Sequence, residues 1–357
     1  MAQTGTYDFN DLASITASPQ EVGLDALLPA FEAELESHNR VAMEIIADFA
    51  SPTTEKEGIY GGASDAEMME VDEYGDAPTQ KTGPGGQVAY PLGKKQHNTG
   101  WDEEFFLKGS VAEMRTRMIA AENAHKRALI KGVKQAIYTP TNRTVVDTLG
   151  RPKGVTLTVR ALLNGDGQPI PAGPNGEPYD GATESHYSAE ATLSSDGLRA
   201  SVRKVLLKGY DADPRIAINL ADSATVAALD GFVAAISTNI NVTPTTGGVI
   251  PVANRGPVGD RMIGTFDDVP VYVKPWAIAG YALTYDAGAS SKVLRMRQEP
   301  IASLQGLRLI NPDESGHKSH PLYARVAEAR FGFGVHNRAA AAVHEFGTDA
   351  TYTAPAI

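Results

Sequence analysis

Residues 51–106 constrain this chain more than any other stretch. They read SPTTEKEGIYGGASDAEMMEVDEYGDAPTQKTGPGGQVAYPLGKKQHNTGWDEEFF, with little apolar material to bury. A segment that hides so little apolar surface does not offset the entropy of ordering its backbone, so it builds no core of its own. A loop of this length is disordered, is a linker, or lies on something else. Ala77-Pro78 and Gly83-Pro84-Gly85-Gly86 are turn signals in its middle. The flanks, 67–74 and 87–92, are predicted to be the two strands of a long hairpin.

A helix follows directly, at 109–138 (GSVAEMRTRMIAAENAHKRALIKGVKQAIY). Ser110 stands three residues before Glu113, the pattern in which a hydroxyl and a carboxylate satisfy backbone donors at a helix start. Val111, Met114, Met118, Ala121 and Ala128 recur at helical spacing, and Ile130, Val133 and Ile137 extend the apolar face. Thr139-Pro140 ends the run, because proline disfavours helical geometry in the residue before it. At ~1.5 Å per residue this is a rod of roughly 43 Å, well above the ~11–12 residues of an average globular helix. Such a helix is either a core element of a large domain or the spine of an elongated, flat subunit.

Upstream, residues 1–18 are polar and aperiodic and read as an extended arm. Leu24, Leu27, Leu28, Phe31, Leu35, Val41, Ile45 and Phe49 then set a helical pattern. Pro29 is expected to split it in two, since an interior proline costs ~3 kcal/mol. Downstream, 155–163 alternates as a half-buried strand, and 164–167 and 173–176 are turns, so 141–192 reads as a hairpin-rich insertion. Residues 198–208 are predicted helical, stopped by Gly209, and 215–220 reads as a buried strand. Asp222 or Ser223 is placed to cap a further helix carrying Val226, Leu229, Phe232, Val233 and Ile236. Residues 239–265 read as a loop. Strands are predicted at 269–273, 281–285, 293–297 and 301–310, and, after a polar loop at 311–320, at 323–335 and 339–346.

Composition narrows the function classes. With no cysteine, the chain has no disulfide, thiolate nucleophile or Cys-ligated zinc. A net charge of -11 argues against a protein that grips DNA by neutralising phosphates. The apolar runs fall far short of the ~20 residues of a membrane span. The first residues lack the basic-then-apolar pattern of a signal peptide. Neither phosphate-binding glycine motif is present, nor a G-x-S-x-G elbow. His317 and His320 are spaced to share a metal on a helix, but they stand in a polar loop between Gly316 and Pro321, where no metal site is expected. Asp102-Glu103-Glu104 and Asp267-Asp268 lie in polar runs and read as solvated faces, because paired catalytic carboxylates need burial to separate their pKa values. Asp102–Glu104 also precede the long helix, where negative charge suits its dipole. Asn142 and Asn241 head glycosylation-type triplets that no secretory signal supports. No catalytic residue, cofactor or metal is assigned.

Three stretches carry a family resemblance. LRASVRKVLLKGYDADPRIAINLADSATVAAL (198–229) is a helix, a strand and an Asn-led turn. GTFDDVPVYVKPWAIAGYALTYDAG (264–288) is a strand, a proline-bearing turn and a strand ending in Asp. YARVAEARFGFGVHNRAAAAVHEF (323–346) supplies closing strands. In this order and spacing, over nearly the whole length, the chain resembles the tailed-bacteriophage major capsid proteins of the Hong Kong 97-type fold. The resemblance implies an α+β architecture: an N-terminal arm with short helices (1–54), an extended loop (55–106), a peripheral domain with the spine helix and the 141–192 insertion (107–197), an axial domain (198–290), and return strands (291–357).

It also implies a structural, non-enzymatic protein that self-assembles through hexamers and pentamers into an icosahedral shell around double-stranded DNA, located in the virion and assembled in the host cytoplasm. The loop would then lie across the next subunit, with Lys81, Val88, Tyr90 and Trp101 at that contact and Met68 and Leu92 beside them; ordinary packing within the chain is the alternative for Trp101. Some family members carry a scaffolding domain that is cut away. About twenty residues precede the first helical segment here, so a separate scaffolding protein is expected, together with a portal, a possible decoration protein and only weak contact with packaged DNA. Some members cross-link a loop lysine to an asparagine with help from a glutamate. Glu328 falls where that glutamate would, but Pro321 stands where the asparagine would. Lys81, Lys94 and Lys95 are present in the loop, yet no isopeptide bond is expected. One rival keeps the fold and makes the chain an encapsulin-type compartment shell; the 141–192 insertion and the long polar loop favour a phage. A second rival is a soluble β-rich hydrolase, which needs a pocket with convergent polar groups.

Overall fold

The structure is a computed structural model and describes residues 8, 10–60, 68–71, 73, 75, 85–235, 260–310, 322, 326–347 and 350–357. The first helix, α1 (Pro19–Val22), opens on a reciprocal cap: Ser18 Oγ accepts from the Glu21 amide and the Glu21 carboxylate accepts from the Ser18 amide. Gly23, at φ 99°, turns the chain into α2 (Leu24–Ile46). Contrary to expectation, Pro29 does not split this helix; the break falls at Gly23. Pro29 sits near the helix start, and Leu27, Ala30 and Phe31 are buried on both sides of it, so packing outweighs the single lost hydrogen bond.

Strand β1 (Ala50–Thr53) leads to the hairpin β2 (Glu57–Tyr60) and β3 (Gly86–Ala89), paired antiparallel with Glu57 opposite Ala89. This corrects the expected hairpin: residues 68–71 are not strand, and the partner of β3 lies earlier in the chain. Strand β4 (Gly93–Asn98) and the short α3 (Glu103–Lys108) complete the return. Asp102 caps α3, accepting from the Phe105 amide at 2.8 Å. The spine helix α4 (Val111–Tyr138) begins where the sequence places it, with Ser110 Oγ accepting from the Glu113 amide at 3.1 Å. Its buried face runs Val111, Met114, Met118, Ala121, His125, Leu129, Val133 and Ile137.

The 141–192 insertion holds one hairpin, β5 (Arg143–Asp147) with β6 (Val155–Val159), and otherwise turns, before β7 (Tyr187–Glu190). Helix α5 (Ser195–Leu206), β8 (Pro214–Ile218) and a short α6 (Ser223–Ala227) follow. The longer helix expected after Asp222 stops at α6: Gly231 takes φ 93° and Phe232–Ala234 becomes strand β9. Its Ile236 lies outside the described residues. Strand β10 (Arg261–Phe266) falls in a stretch read as loop, and turns back at Asp267-Asp268, both at positive φ, into β11 (Val269–Val273). The rest are β12 (Tyr281–Asp286), β13 (Leu294–Gln298), β14 (Arg308–Ile310), β15 (Val326–Val335) and β16 (Ala341–Phe346). The strand expected at 301–310 shrinks to β14, after a helical turn at Ala302–Leu304.

Two sheets organise these elements. One runs β1-β13-β15-β14, with β4 also paired to β15. The other runs β7-β16-β12-β8-β11-β10-β9. Helix α4 lies close over β15: a Cβ on Gly132 would stand 2.6 Å from the Phe333 ring, so only glycine fits this contact. The largest core joins α2, α4 and both sheets through Phe49, Leu129, Ile137, Tyr285, Phe331 and Val343. Asp48, just past α2, accepts from Arg215 at 3.2 Å, Lys274 at 3.2 Å and Tyr285 at 3.4 Å, tying that helix end to the second sheet.

Arg338 holds the insertion to the body. It is 1% exposed, donates to the carbonyls of Ala161 and Leu162 and to Asn164 Oδ1, and pairs with Asp166 at 2.9 Å. Burial pushes the Asp166 carboxyl up, but the hydrogen bonds from Arg338 and Asn142 outweigh it and hold the group below its usual range. Asn142, the first glycosylation-type residue, thus spends its amide inside the fold. Arg338→Ala leaves a buried carboxylate and several carbonyls without their partner, and a cost of about 3–5 kcal/mol is expected. A drop in the urea midpoint checks it; a midpoint unchanged from the parent contradicts the clamp.

Candidate assembly surfaces

The described part of the loop has a base anchored on the sheet and an exposed stretch at 68–71. At the base, β1 pairs parallel to β13 and β4 pairs antiparallel to β15 over six residues, from Asn98 opposite Val326 to Gly93 opposite Phe331. Side chains reinforce that edge. Glu328, fully buried on β15, accepts from Gln96 at 2.7 Å, Lys94 at 3.0 Å, Arg308 at 2.6 Å and Arg330 at 2.8 Å. Burial pushes its carboxyl up, yet these four donors hold it at about 2. Glu328 therefore ties β4, β14 and β15 together at the loop base. Lys94 is engaged by it, and Lys95 donates to the Phe331 carbonyl at 3.2 Å with its ammonium 4.2 Å from that ring's centroid. A second buried pair, Arg297 with Asp147 at 2.8 Å, also donates to the Tyr90 carbonyl at 3.0 Å, and the Tyr90 hydroxyl meets His336 Nδ1 at 2.6 Å.

The contact residues expected from the sequence are placed as follows. Lys81 lies outside the described residues. Val88, Tyr90 and Trp101 are 1%, 2% and 1% exposed within their own chain. Val88 and Tyr90 pack with Tyr60, Leu163 and Ala339; Trp101 packs edge-on to Phe31 and Phe106. These three side chains pack inside their own chain, which leaves little of their area exposed. Leu92 is buried as well. Met68, by contrast, is fully exposed, and Met69 and Val71 are each 52% exposed. Ile59, Leu107, Val146, Leu207, Leu220, Val233 and Ile301 add exposed apolar side chains elsewhere. Single exposed apolars are ordinary, but three within four residues of a loop tip form a patch.

Chemistry of other kinds is sparse. Among the described residues no group of three or more His, Asp or Glu is arranged to hold a metal, and His317 and His320 lie outside them. Asp267 pairs with Arg199 at 2.6 Å. A cleft of about 890 Å³ beside the loop base is lined by Glu55, Lys56, Arg151, Arg297, Glu299 and Arg330. Its Arg297 and Arg330 are already paired, to Asp147 and to Glu299 and Glu328.

The helix contact between α2 and α4 holds a titratable cluster that sequence reasoning missed. His38 Nε2 and His125 Nδ1 are 2.9 Å apart, and Glu122 Oε2 lies 3.9 Å from His38 Nδ1. All three residues are buried. Burial, helped by Lys126, lowers His38 to about 4; burial, then His38, Lys95 and Lys126, lowers His125 to about 3; burial, then Glu34, raises Glu122 to about 7. A lowered histidine binds fewer protons folded than unfolded, so stability falls as pH drops below about 6.5. The raised Glu122 acts oppositely, lowering stability as pH rises from 4.5 to about 7. With two histidines against one carboxylate, acidification from about 6.5 to 4.5 destabilises the fold. The urea midpoint should fall over that window, and His38→Gln/His125→Gln should flatten or invert the slope. An unchanged slope in the double variant contradicts the assignment.

No protein-family model matches the chain, and no curated protein does. Solved structures do. A chain of Mycobacterium phage Patience superposes with a TM-score of 0.62 at 20% identity, covering 99% of this chain and 96% of its own. Looser overlaps, with TM-scores of 0.44 and 0.39, are a chain of Gordonia phage Cozz (12% identity, 85% and 86% covered) and an encapsulin of Synechococcus elongatus PCC 7942 (11% identity, 88% and 90% covered); neither bears on the choice between readings. The full-length match to the Patience chain shows the fold: this chain has the Hong Kong 97-type capsid fold, as the resemblance implied.

Proposed function

We propose that this chain is the shell-forming subunit of a tailed-phage head, self-assembling into an icosahedral capsid around double-stranded DNA. The observation that carries the proposal is the capsid fold matched end to end, on a chain that exposes Met68, Met69 and Val71 in its loop. An apolar patch of this kind is covered when a sister subunit supplies the missing flank, and repeated copies of one interface close a shell by symmetry. The parts take the roles set out above: arm at 1–54, loop at 55–106, peripheral domain at 107–197 and 291–357, axial domain at 198–290. The helix α5 and the strands β8 to β11, which share one core, support the axial reading. Hexamers and pentamers, a separate scaffolding protein, a portal, a possible decoration protein, assembly in the host cytoplasm and residence in the virion belong to the same proposal. It assigns no catalytic role. An encapsulin-type shell is the second reading, and the insertion at 141–192 favours the phage.

Negative-stain microscopy of the purified chain tests this reading. Closed shells or capsomer rings are expected, with nucleic acid inside when isolated from an infected cell. Particles filled with a cargo protein would select the compartment reading, and a monomer or dimer under every assembly condition would remove both. On a denaturing gel the particles should run as a single band at monomer mass, because Pro321 stands where the cross-linking asparagine would. A ladder of covalent oligomers would overturn the absence of cross-linking.

A further inference from the structure

Helix α5 is covered on one side only. Leu198, Val202 and Val205 are buried. On the opposite side Asp196, Arg199, Arg203, Lys204, Leu207 and Lys208 recur at three- and four-residue spacing through the helix and just past its end. The insertion lies against that side. Tyr179 donates its hydroxyl to the Leu207 carbonyl at 2.8 Å, and its ring centroid stands 4.4 Å from the Lys208 ammonium. Tyr179, Glu184 and the outer side of α5 line a groove of about 510 Å³.

Charge in this groove does not balance. Of its two carboxylates, Asp196 is taken by Arg199 at 2.9 Å and Glu184 by Lys208 at 2.9 Å. Asp267, outside the groove, is also taken by Arg199, at 2.6 Å. His186 lies 3.8 Å from Glu184, but burial, helped by Lys208, holds it well below its usual range, so the imidazole stays uncharged. Arg203 and Lys204 are left over. Among the described residues neither has an acid within ion-pair distance. Arg203 is exposed and Lys204 is half-buried. Burial lowers the Lys204 ammonium from its usual range; Glu184 works against that, and Lys208 works with it. The negative end of the α5 dipole favours both cations without giving either an acceptor.

We infer that this groove binds a phosphate group, held by the Arg203 guanidinium and the Lys204 ammonium, with the Tyr179 ring and the exposed Leu207 side chain as its apolar wall. The guanidinium offers a fork of donors and the ammonium a compact charge, and phosphate oxygens suit both. A terminal phosphate brings about two negative charges at pH 7 and three acceptor oxygens, which matches two unpaired cations; a carboxylate brings one charge. A chain of net charge -11 gives a polyanion no general attraction, so binding is set inside the groove. Two sources carry this chemistry, a free phosphate compound and the backbone of a nucleic acid. The site is a property of the single chain and does not depend on the shell reading.

Calorimetric titration of pyrophosphate into the purified full-length chain, at constant ionic strength, tests the inference. Saturable binding is expected in the parent. Arg203→Gln/Lys204→Gln should weaken it at least about tenfold, the loss of one or more charge-assisted hydrogen bonds. Arg127→Gln/Lys131→Gln, which removes two exposed cations from α4, should leave it unchanged. Circular dichroism shows that each variant folds; should the groove pair unfold, Arg203→Gln alone, at an exposed position, should still weaken binding. A short single-stranded oligonucleotide is titrated in parallel. Pyrophosphate binding alone assigns the groove to free phosphate compounds. Oligonucleotide binding alone, lost in the groove variant, assigns it to the nucleic-acid backbone; either result keeps the phosphate site. Binding of neither probe overturns the inference. So does a groove variant that binds like the parent, or an equal loss in the α4 variant, which would reduce the effect to net charge. Particle formation plays no part in these readings, so the site fails separately from the shell reading.

Discussion

The fold depends on what surrounds Glu328. A carboxylate buried in a sheet without partners is costly, and here four donors from three strands satisfy it. Those strands are the two flanks of β15 and β15 itself, so one charge locks β4, β14 and β15 into a single register. Because β4 is the returning limb of the long loop, the network makes the loop base part of the body. The close pass of α4 over Phe333, permitted by Gly132, sets the spine helix against the same strand. Sheet, loop base and spine thus share one central strand.

This division explains why one loop behaves in two ways. Its base is as buried as any core: Val88, Tyr90 and Trp101 lose nearly all exposure to neighbours in their own chain. Its tip keeps acids and methionines in the open. Anchoring at one end and exposed apolar side chains at the other suit the shell reading proposed above, because pre-organisation lowers the entropy that docking must overcome. The buried polar groups serve the body in the same spirit. Arg338 fastens the insertion, Arg297 fastens the backbone at Tyr90, and Asp48 fastens the end of α2 to the second sheet. Each joins segments far apart in sequence.

Much of the architecture was legible in the residues. The spine helix, its serine cap, β11, β12 and the two closing strands all followed from periodicity and turn chemistry, and their order carried the likeness to capsid proteins. Pro29 misled, because the rule about interior prolines takes no account of the buried neighbours that hold a helix through it. Strands β9 and β10 were missed, because each is a strand only by virtue of the other and of β11 beside them. The hairpin partner of β3 was sought on the wrong side of the loop. A turn signal such as Gly83-Pro84-Gly85-Gly86 says that the chain reverses, and says nothing of where it meets itself.

The candidate surfaces divide in the same way. Local sequence determined that residues 51–106 could not form a core and that a long capped helix would follow them, since both depend on composition and spacing within a short window. Only the tertiary structure decided which loop residues are covered, that Glu328 is held ionised, and that His38, Glu122 and His125 converge between two helices. His38 and His125 are 87 positions apart. Burial and charge pairing are properties of the contact, not of the residue, and contacts at that separation are set by the packing of the whole chain.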